Sequence, residues 1–225
     1  MSAIGDRLLE RIGREGPVSV AAFMAEALFD PRDGFYATKN PIGAGEDFIT
    51  APVISQMFGE LIGLWCVQAW MDLGQPRPFR LAELGPGTGA MMADALRAAR
   101  AAPGLIDAVD VTLVEASAAL KMVQGRTLTP AGVMTGWADR IESVPAGPAV
   151  ILGNEFLDCL PVRQAVKSGG AWRERMVGLD PEDPARLAFG TGPVLSPEDA
   201  ALIAPALRDA ADGSLAEIRP GDRQV

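Results

Sequence analysis

The chain has 225 residues, room for one α/β domain with a sizeable core and a small appendage. Its formal net charge is −9 and only Lys39, Lys121 and Lys167 are lysines, which excludes a general nucleic-acid binder, since that needs clustered Lys and Arg. No histidine occurs, so Ser-His-Asp and Cys-His catalysis and His-ligated zinc are excluded; Cys66 and Cys159, far apart, read as free thiols rather than a metal pair.

The N-terminus, MSAIGDRLLERIGREG, has neither the apolar core of a signal peptide nor the acid-free composition of a transit peptide, and reads as cytoplasmic. Residues 3–14 form an expected short helix. Ser19 caps a second within VAAFMAEALFD, whose apolar residues repeat at helical spacing. The stretch DPRDGFYATKNPIGAGEDFITAP is too polar for core and too long for a simple connection, which makes it a candidate functional loop. A long helix is expected from Thr50 or Pro52 to about Asp72. Its apolar run, interrupted by Glu60, Gln68 and Asp72, predicts a buried amphipathic helix and not a membrane span. GQPRP then separates a helical lead-in, residues 1–76, from a second part, residues 77–225.

From Phe79 strands and helices alternate: FRLAEL, the helix MMADALRAARAA, VDVTLVEA, a helix capped by Ser117, a weak strand near Val133, and PAVILGNEF. This βαβ order predicts a parallel, doubly wound sheet, with PAVILGNEF buried on both faces. VRQAVKSGGAWRERMVGLD then reads as a β-hairpin turning at SGG, and RLAFGTG as a further strand. SPEDAALIAPALRDA reads as a helix with Ser196 as cap, Pro197 first and Asp199 completing a capping box.

The segment LAELGPGTGA carries chemistry. Gly85, Gly87 and Gly89 permit positive φ and let backbone N–H groups approach a ligand, and Gly85-x-Gly87-x-x-Ala90 satisfies the loose dinucleotide fingerprint. Glu83 separates two ligand chemistries. Beneath a pyrophosphate its carboxylate would meet like charge, at about 4 kcal/mol for an intermediate dielectric. Beneath S-adenosylmethionine, with its ammonium and sulfonium and no phosphate, the same acid is an asset. The loop is therefore expected to hold S-adenosylmethionine rather than a nicotinamide cofactor, and no metal. Glu115, ending the second strand, is placed to accept both ribose hydroxyls; the alternative is a helix N-terminal acid. Asp139 is placed to reach an adenine amino group with Trp137 as a stacking surface; the alternatives are a solvated acid and a core tryptophan.

Asn154, Glu155 and Asp158, in GNEFLDCLP, follow the fourth strand, whose carboxyl end shares a crevice with the first. They are expected to face the transferable methyl, with Asn154 on the cofactor side, although a helix cap would use the same residue types.

LAELGPGTG, LVEAS, WAD and ILGNEFLDCLPVRQAV resemble the MidA family of class I S-adenosylmethionine-dependent methyltransferases, as do FMAEALFDPRDGFY, EDFITAPVISQMFGELIGLW and WRERMVGLD. The likeness implies a Rossmann-like fold with a helical lead-in and an inserted hairpin. It implies a protein arginine N-methyltransferase acting on a subunit of respiratory complex I during assembly, here in a bacterial cytoplasm. Glu46 and Val53 depart from the family pattern, which tends to have glycine and an acid there. Within that reading Glu155 is the expected guanidinium clamp, with Asp158 and Asp47 as supporting or alternative clamps, because carboxylates pair bidentately with the planar fork. The rivals are a non-catalytic assembly factor that binds S-adenosylmethionine and, disfavoured by Glu83, an NAD-dependent oxidoreductase.

The likeness stops at SLAEIRPGDRQV, where the family would continue into a fifth strand, and AVILGNEF lacks the charges and prolines that protect natural edges. The chain is therefore expected to be C-terminally incomplete, or the hairpin or a second copy to cover that edge. Cofactor binding should survive weakened and methyl transfer be poor.

Overall fold

The computed structural model describes residues 3–38 and 51–218, without the Val53 side chain. Asp47 and most of the candidate loop lie outside the described residues. Contacts divide the chain into two compact units, Met1–Thr38 with Cys159–Val225, and Lys39–Asp158. The boundary expected near residue 76 is thus not where the contacts divide.

In chain order the first unit begins with α1 (Ala3–Glu15), β1 (Val18–Ser19), α2 (Val20–Phe29) and α3 (Phe35–Thr38). The second holds α4 (Ala51–Ile54), α5 (Gln56–Asp72), β2 (Phe79–Leu84), α6 (Ala90–Ala99), α7 (Leu105–Ala108), β3 (Val109–Val114), α8 (Ala118–Leu128), β4 (Thr135–Ala138) and β5 (Ala149–Leu152). The chain then returns to the first unit with β6 (Arg163–Ser168), β7 (Ala171–Leu179), β8 (Leu187–Val194), α9 (Pro197–Ala201) and β9 (Leu215–Ile218).

The second unit is built on a parallel four-stranded sheet, β4-β3-β2-β5. Leu84, Val114 and Ala138 lie in register at the carboxyl ends of β2, β3 and β4, and Glu83 lies opposite Leu152 of β5. The order runs outward from β2 to β4 on one side and returns to β5 on the other, so β2 and β5 flank a topological switch point. Trp70, Phe79, Met92, Leu96, Val111 and Leu113 fill its core. Helix α5 is buried on one face only, through Gly59, Gly63, Cys66 and Trp70. Burial pushes the Cys66 thiol up to about 11, so it is a packing group rather than a nucleophile. Met57, Leu61, Leu64 and Trp65 are exposed on the other side of α5, so the amphipathic helix that the sequence predicts buries one face, although its exposed face is also apolar.

Three further expectations are corrected. β5 is buried on one face: Val150 and Leu152 are inside, whereas Ile151, pointing to the other face, is 50% exposed, so among the described residues that face lacks the packed layer a doubly wound sheet would place on it. The third strand of the alternation lies at Thr135–Ala138, after Val133, with Trp137 inside it. The last helix stops at Ala201, and Pro205, which cannot donate a helical hydrogen bond, opens a separate short turn.

The first unit holds an antiparallel sheet, β1-β7-β6-β9, with β8 paired to β7. The hairpin forms as expected: Gly169 and Gly170 take φ of 60° and 72°, the conformation a tight hairpin turn demands, and both donate N–H to the Asp212 carboxylate. The hairpin belongs to this sheet, so among the described residues no strand pairs with the outer edge of β5. Ile12 of α1 and Val20 of α2 pack on Val177 of β7.

Candidate functional site

Four loops leave the carboxyl ends of the parallel strands, and they carry most of the residues singled out by sequence. After β2 the chain turns through Gly85, Gly87 and Gly89, all at positive φ (59°, 54° and 81°), before α6 begins. A Cβ built on Gly85 would lie 2.6 Å from Cδ2 of Phe156, so the loop after β5 closes directly on the glycine loop. That contact brings the GNEFLDCLP cluster to the glycines, as strand adjacency predicts.

Glu83 is 3% exposed at the end of β2, and its Oε2 has no hydrogen-bond partner. Burial pushes its carboxyl up to about 8. A buried acid whose Oε2 has no partner and whose ionisation is opposed by burial is stabilised as a carboxylate by a cationic group and not by a phosphate. The donor set therefore suits S-adenosylmethionine.

Glu115 follows β3 and is half-buried. Its Oε1 accepts from the Ser117 N–H at 2.8 Å and its Oε2 from Gln124 Nε2 at 3.1 Å. Burial raises its carboxyl above the ordinary range, and these hydrogen bonds work against that rise. Asp139, after β4, is exposed and pairs with Lys121 Nζ at 2.5 Å. Trp137 is 38% exposed, packs over Gly125 and donates from Nε1 to Gln124 Oε1 at 2.9 Å. It is neither a core tryptophan nor a fully free stacking surface.

Beyond β5, Asn154 is half-buried, and Glu155 is exposed with φ of 49°. A non-glycine residue held there is strained, a condition concentrated at functional sites. Asp158 is exposed in the short helical turn Leu157–Cys159. A groove of about 290 Å³ runs along β3 and β4, lined by Asp110, Thr112, Met134, Thr135, Trp137 and Pro145 among others. Neither the glycine loop nor Glu83 nor Glu115 lines it, so this groove is not the candidate site.

Gln124 is missing from the residues singled out by sequence. It is fully buried, and its signal was a polar residue on the apolar stripe Leu120, Gln124, Leu128 of α8.

Residues 61–225 match the S-adenosyl-L-methionine-dependent methyltransferase family. The chain belongs to this family. Methyltransferase relatives bear this out: the zebrafish (Danio rerio) mitochondrial protein arginine methyltransferase NDUFAF7 is 38% identical over 203 residues, 81% of this chain and 48% of the relative. The human (Homo sapiens) protein of the same name is 34% identical over 224 residues, 90% of this chain and 51% of the relative. The chain thus spans about half the length of the curated relatives it matches. A COG1565 superfamily member from Burkholderia thailandensis, solved bound to S-adenosyl-homocysteine, superposes with a TM-score of 0.76 and 28% identity, covering 96% of this chain and 55% of that one. The methyltransferase likeness and the Rossmann-like fold read from the sequence both stand. The cytoplasmic placement does not, since the relatives are named as mitochondrial proteins. No helix among the described residues is long and apolar enough to cross a membrane.

Proposed function

We propose that the chain binds S-adenosylmethionine at the carboxyl ends of β2, β3, β4 and β5 and takes part in methylating an arginine of a protein substrate. The observation that carries the reading is Glu83, a buried, incompletely partnered carboxyl that immediately precedes a glycine loop at the switch point of a methyltransferase-family sheet. The glycine loop would hold the amino-acid end, Glu115 the ribose hydroxyls, and Asp139, Trp137 and Asn154 would border the nucleoside. The arginine specificity is supported by the relatives' names, and the resemblance to the MidA family read from the sequence motifs is what suggests a subunit of complex I as substrate.

When bound, S-adenosylmethionine supplies an electrophilic methyl group on a sulfonium sulfur. The protein's task lies on the acceptor side. A guanidinium holds its proton with a pKa above about 12, so it must be oriented and must lose one proton as the N–C bond forms. Glu155, exposed beside Phe156 on the loop that closes over Gly85, would pair with the planar fork and receive that proton. Asp158 stands three residues on as the supporting acid. Asp47, proposed for the same role, lies outside the described residues.

Glu155→Gln is expected to keep S-adenosylhomocysteine affinity and to lower methyl transfer to an arginine peptide about 100-fold. Labelled-methyl counting checks it, and wild-type turnover in the variant removes Glu155 from the mechanism. Cofactor binding without transfer to any protein fraction, by the wild-type chain, would favour the non-catalytic assembly factor.

Gly87→Val tests the cofactor loop. A β-branched side chain at φ of 54° is strained by about 1 kcal/mol or more and intrudes on the ligand face. Affinity for S-adenosylhomocysteine, measured by calorimetry, should fall about 10-fold or more, and an unchanged affinity would move the ligand elsewhere.

A further inference from the structure

We propose that Gln124 is the positioning residue of this site, fixing the glycine loop, the ribose-binding acid and the indole against one another; the proposal rests on the cofactor reading above. The side chain lies in α8 between Leu120 and Leu128 and is fully buried. Burying a primary amide costs several kcal/mol unless its hydrogen bonds are made, so packing alone would favour leucine or methionine there. Its bonds are made, to three separate strand ends. Nε2 donates to the Gly87 carbonyl at 2.9 Å and to Glu115 Oε2 at 3.1 Å, and Oε1 accepts from Trp137 Nε1 at 2.9 Å.

Chemistry fixes the orientation of that amide. An indole N–H only donates, so the amide oxygen must face Trp137. The NH₂ group is thereby turned to a carbonyl and a carboxylate, which only accept. A flipped amide would lose all three bonds, so the three partners hold one arrangement together.

The consequence falls on Glu115. Ser117 N–H engages Oε1 and Gln124 engages Oε2, and the two donors set the plane of the carboxylate. Its remaining lone pairs are then directed in one way, as a bidentate acceptor of two vicinal hydroxyls requires. The same amide holds the carbonyl of Gly87, in the middle of the loop proposed for the other end of the ligand. Gln124 touches no ligand itself. It acts through Glu115 and Gly87, and its loss should appear as lost recognition of the ribose rather than as general weakening.

The test compares calorimetric affinities for S-adenosylhomocysteine and its 2′-deoxy analogue in the wild type, Gln124→Met, Glu115→Ala and the double variant. Gln124→Met is expected to bind S-adenosylhomocysteine about 10-fold to 100-fold more weakly and to lose most of the preference for the ribose over the deoxyribose form. Glu115→Ala should lose the same preference. The double variant should bind about as Glu115→Ala does, because the two residues serve one function. Trp137→Phe keeps an aromatic ring beside the nucleoside and removes the indole donor to Gln124, so it guards against a misfolded Gln124→Met; overall affinity can change with the ring, but the ribose preference, which the ring does not read, should fall several-fold with an unchanged melting temperature. Full ribose preference in a folded Gln124→Met, or in Trp137→Phe where Gln124→Met does not fold, overturns the proposal. No binding of S-adenosylhomocysteine by the wild-type chain overturns the cofactor reading and this proposal with it.

Discussion

Gly63→Ala is expected to lower stability by about 3 kcal/mol, where the same change in an open helix would raise it. A Cβ on Gly63 would lie 2.4 Å from the carbonyl oxygen and 2.6 Å from the Cα of Ala95, so it meets the backbone of α6 rather than a side chain that can turn aside. One turn earlier, a Cβ on Gly59 would lie 2.6 Å from Asp94 Cβ and 3.0 Å from the Met91 carbonyl oxygen. Helices α5 and α6 therefore cross with their backbones in contact at two glycines. Alanine at position 63 forces them apart and loosens Cys66 and Trp70, which lie on the same buried face. Gly125 of α8 supplies the control. Its nearest neighbour to a new Cβ is Trp137 Cη2 at 3.8 Å, an ordinary contact, so Gly125→Ala should stabilise by about 0.5–1 kcal/mol. Urea unfolding of the two variants should give opposite signs. A stabilised or unchanged Gly63→Ala would mean that α5 is free to move away from α6 at no cost.

That crossing was written in the sequence as two glycines four apart inside a helix, each costing helix stability for no local reason. The apolar content of the segment hides it, because Leu61, Leu64 and Trp65 look like core yet lie on the exposed side, while the smallest residues make the contact. Features fixed by neighbouring residues are legible throughout. Ser19, Ser117 and Ser196 each cap the helix that follows, accepting from the N–H three residues on. Strands β2 and β3 fall where hydrophobic runs bounded by turn residues place them. The candidate site is legible for a topological reason: in a parallel sheet the end of each strand marks one edge, so Glu83, Glu115, Asp139 and Asn154 are brought together by counting strands. Pairings across long separations are not. β9 pairs with β6 across about fifty residues and has only four residues of its own to announce it. Gln124 has partners in Gly87, Glu115 and Trp137 that no local pattern could connect.

Glu83→Gln is expected to change the pH dependence of stability and of ligand binding together. The folded chain holds the Glu83 proton with a pKa of about 8 against an ordinary value of 4.5, and the cause is burial. The folded state therefore binds this proton more tightly than the unfolded state. Stability from this group is full below about pH 4.5 and is lost as pH rises toward 8, at about 1.4 kcal/mol per pH unit and on the order of 3 kcal/mol by pH 7. Glutamine does not titrate, so its stability relative to the wild type should rise by about 3 kcal/mol between pH 5 and pH 8. All other groups are common to both proteins, and the difference isolates Glu83. Parallel curves in urea unfolding across that range would show that the carboxyl is not held protonated. The same group should report the ligand. Two positive charges brought to the glycine loop favour the carboxylate, so S-adenosylmethionine binding near pH 7 should release up to about one proton. Calorimetry in two buffers of different ionisation enthalpy measures that proton directly. Glu83→Gln should bind more weakly and release none. Proton release that persists in the variant would assign the titration to another group and remove the charge argument that sets S-adenosylmethionine above a phosphate-bearing cofactor.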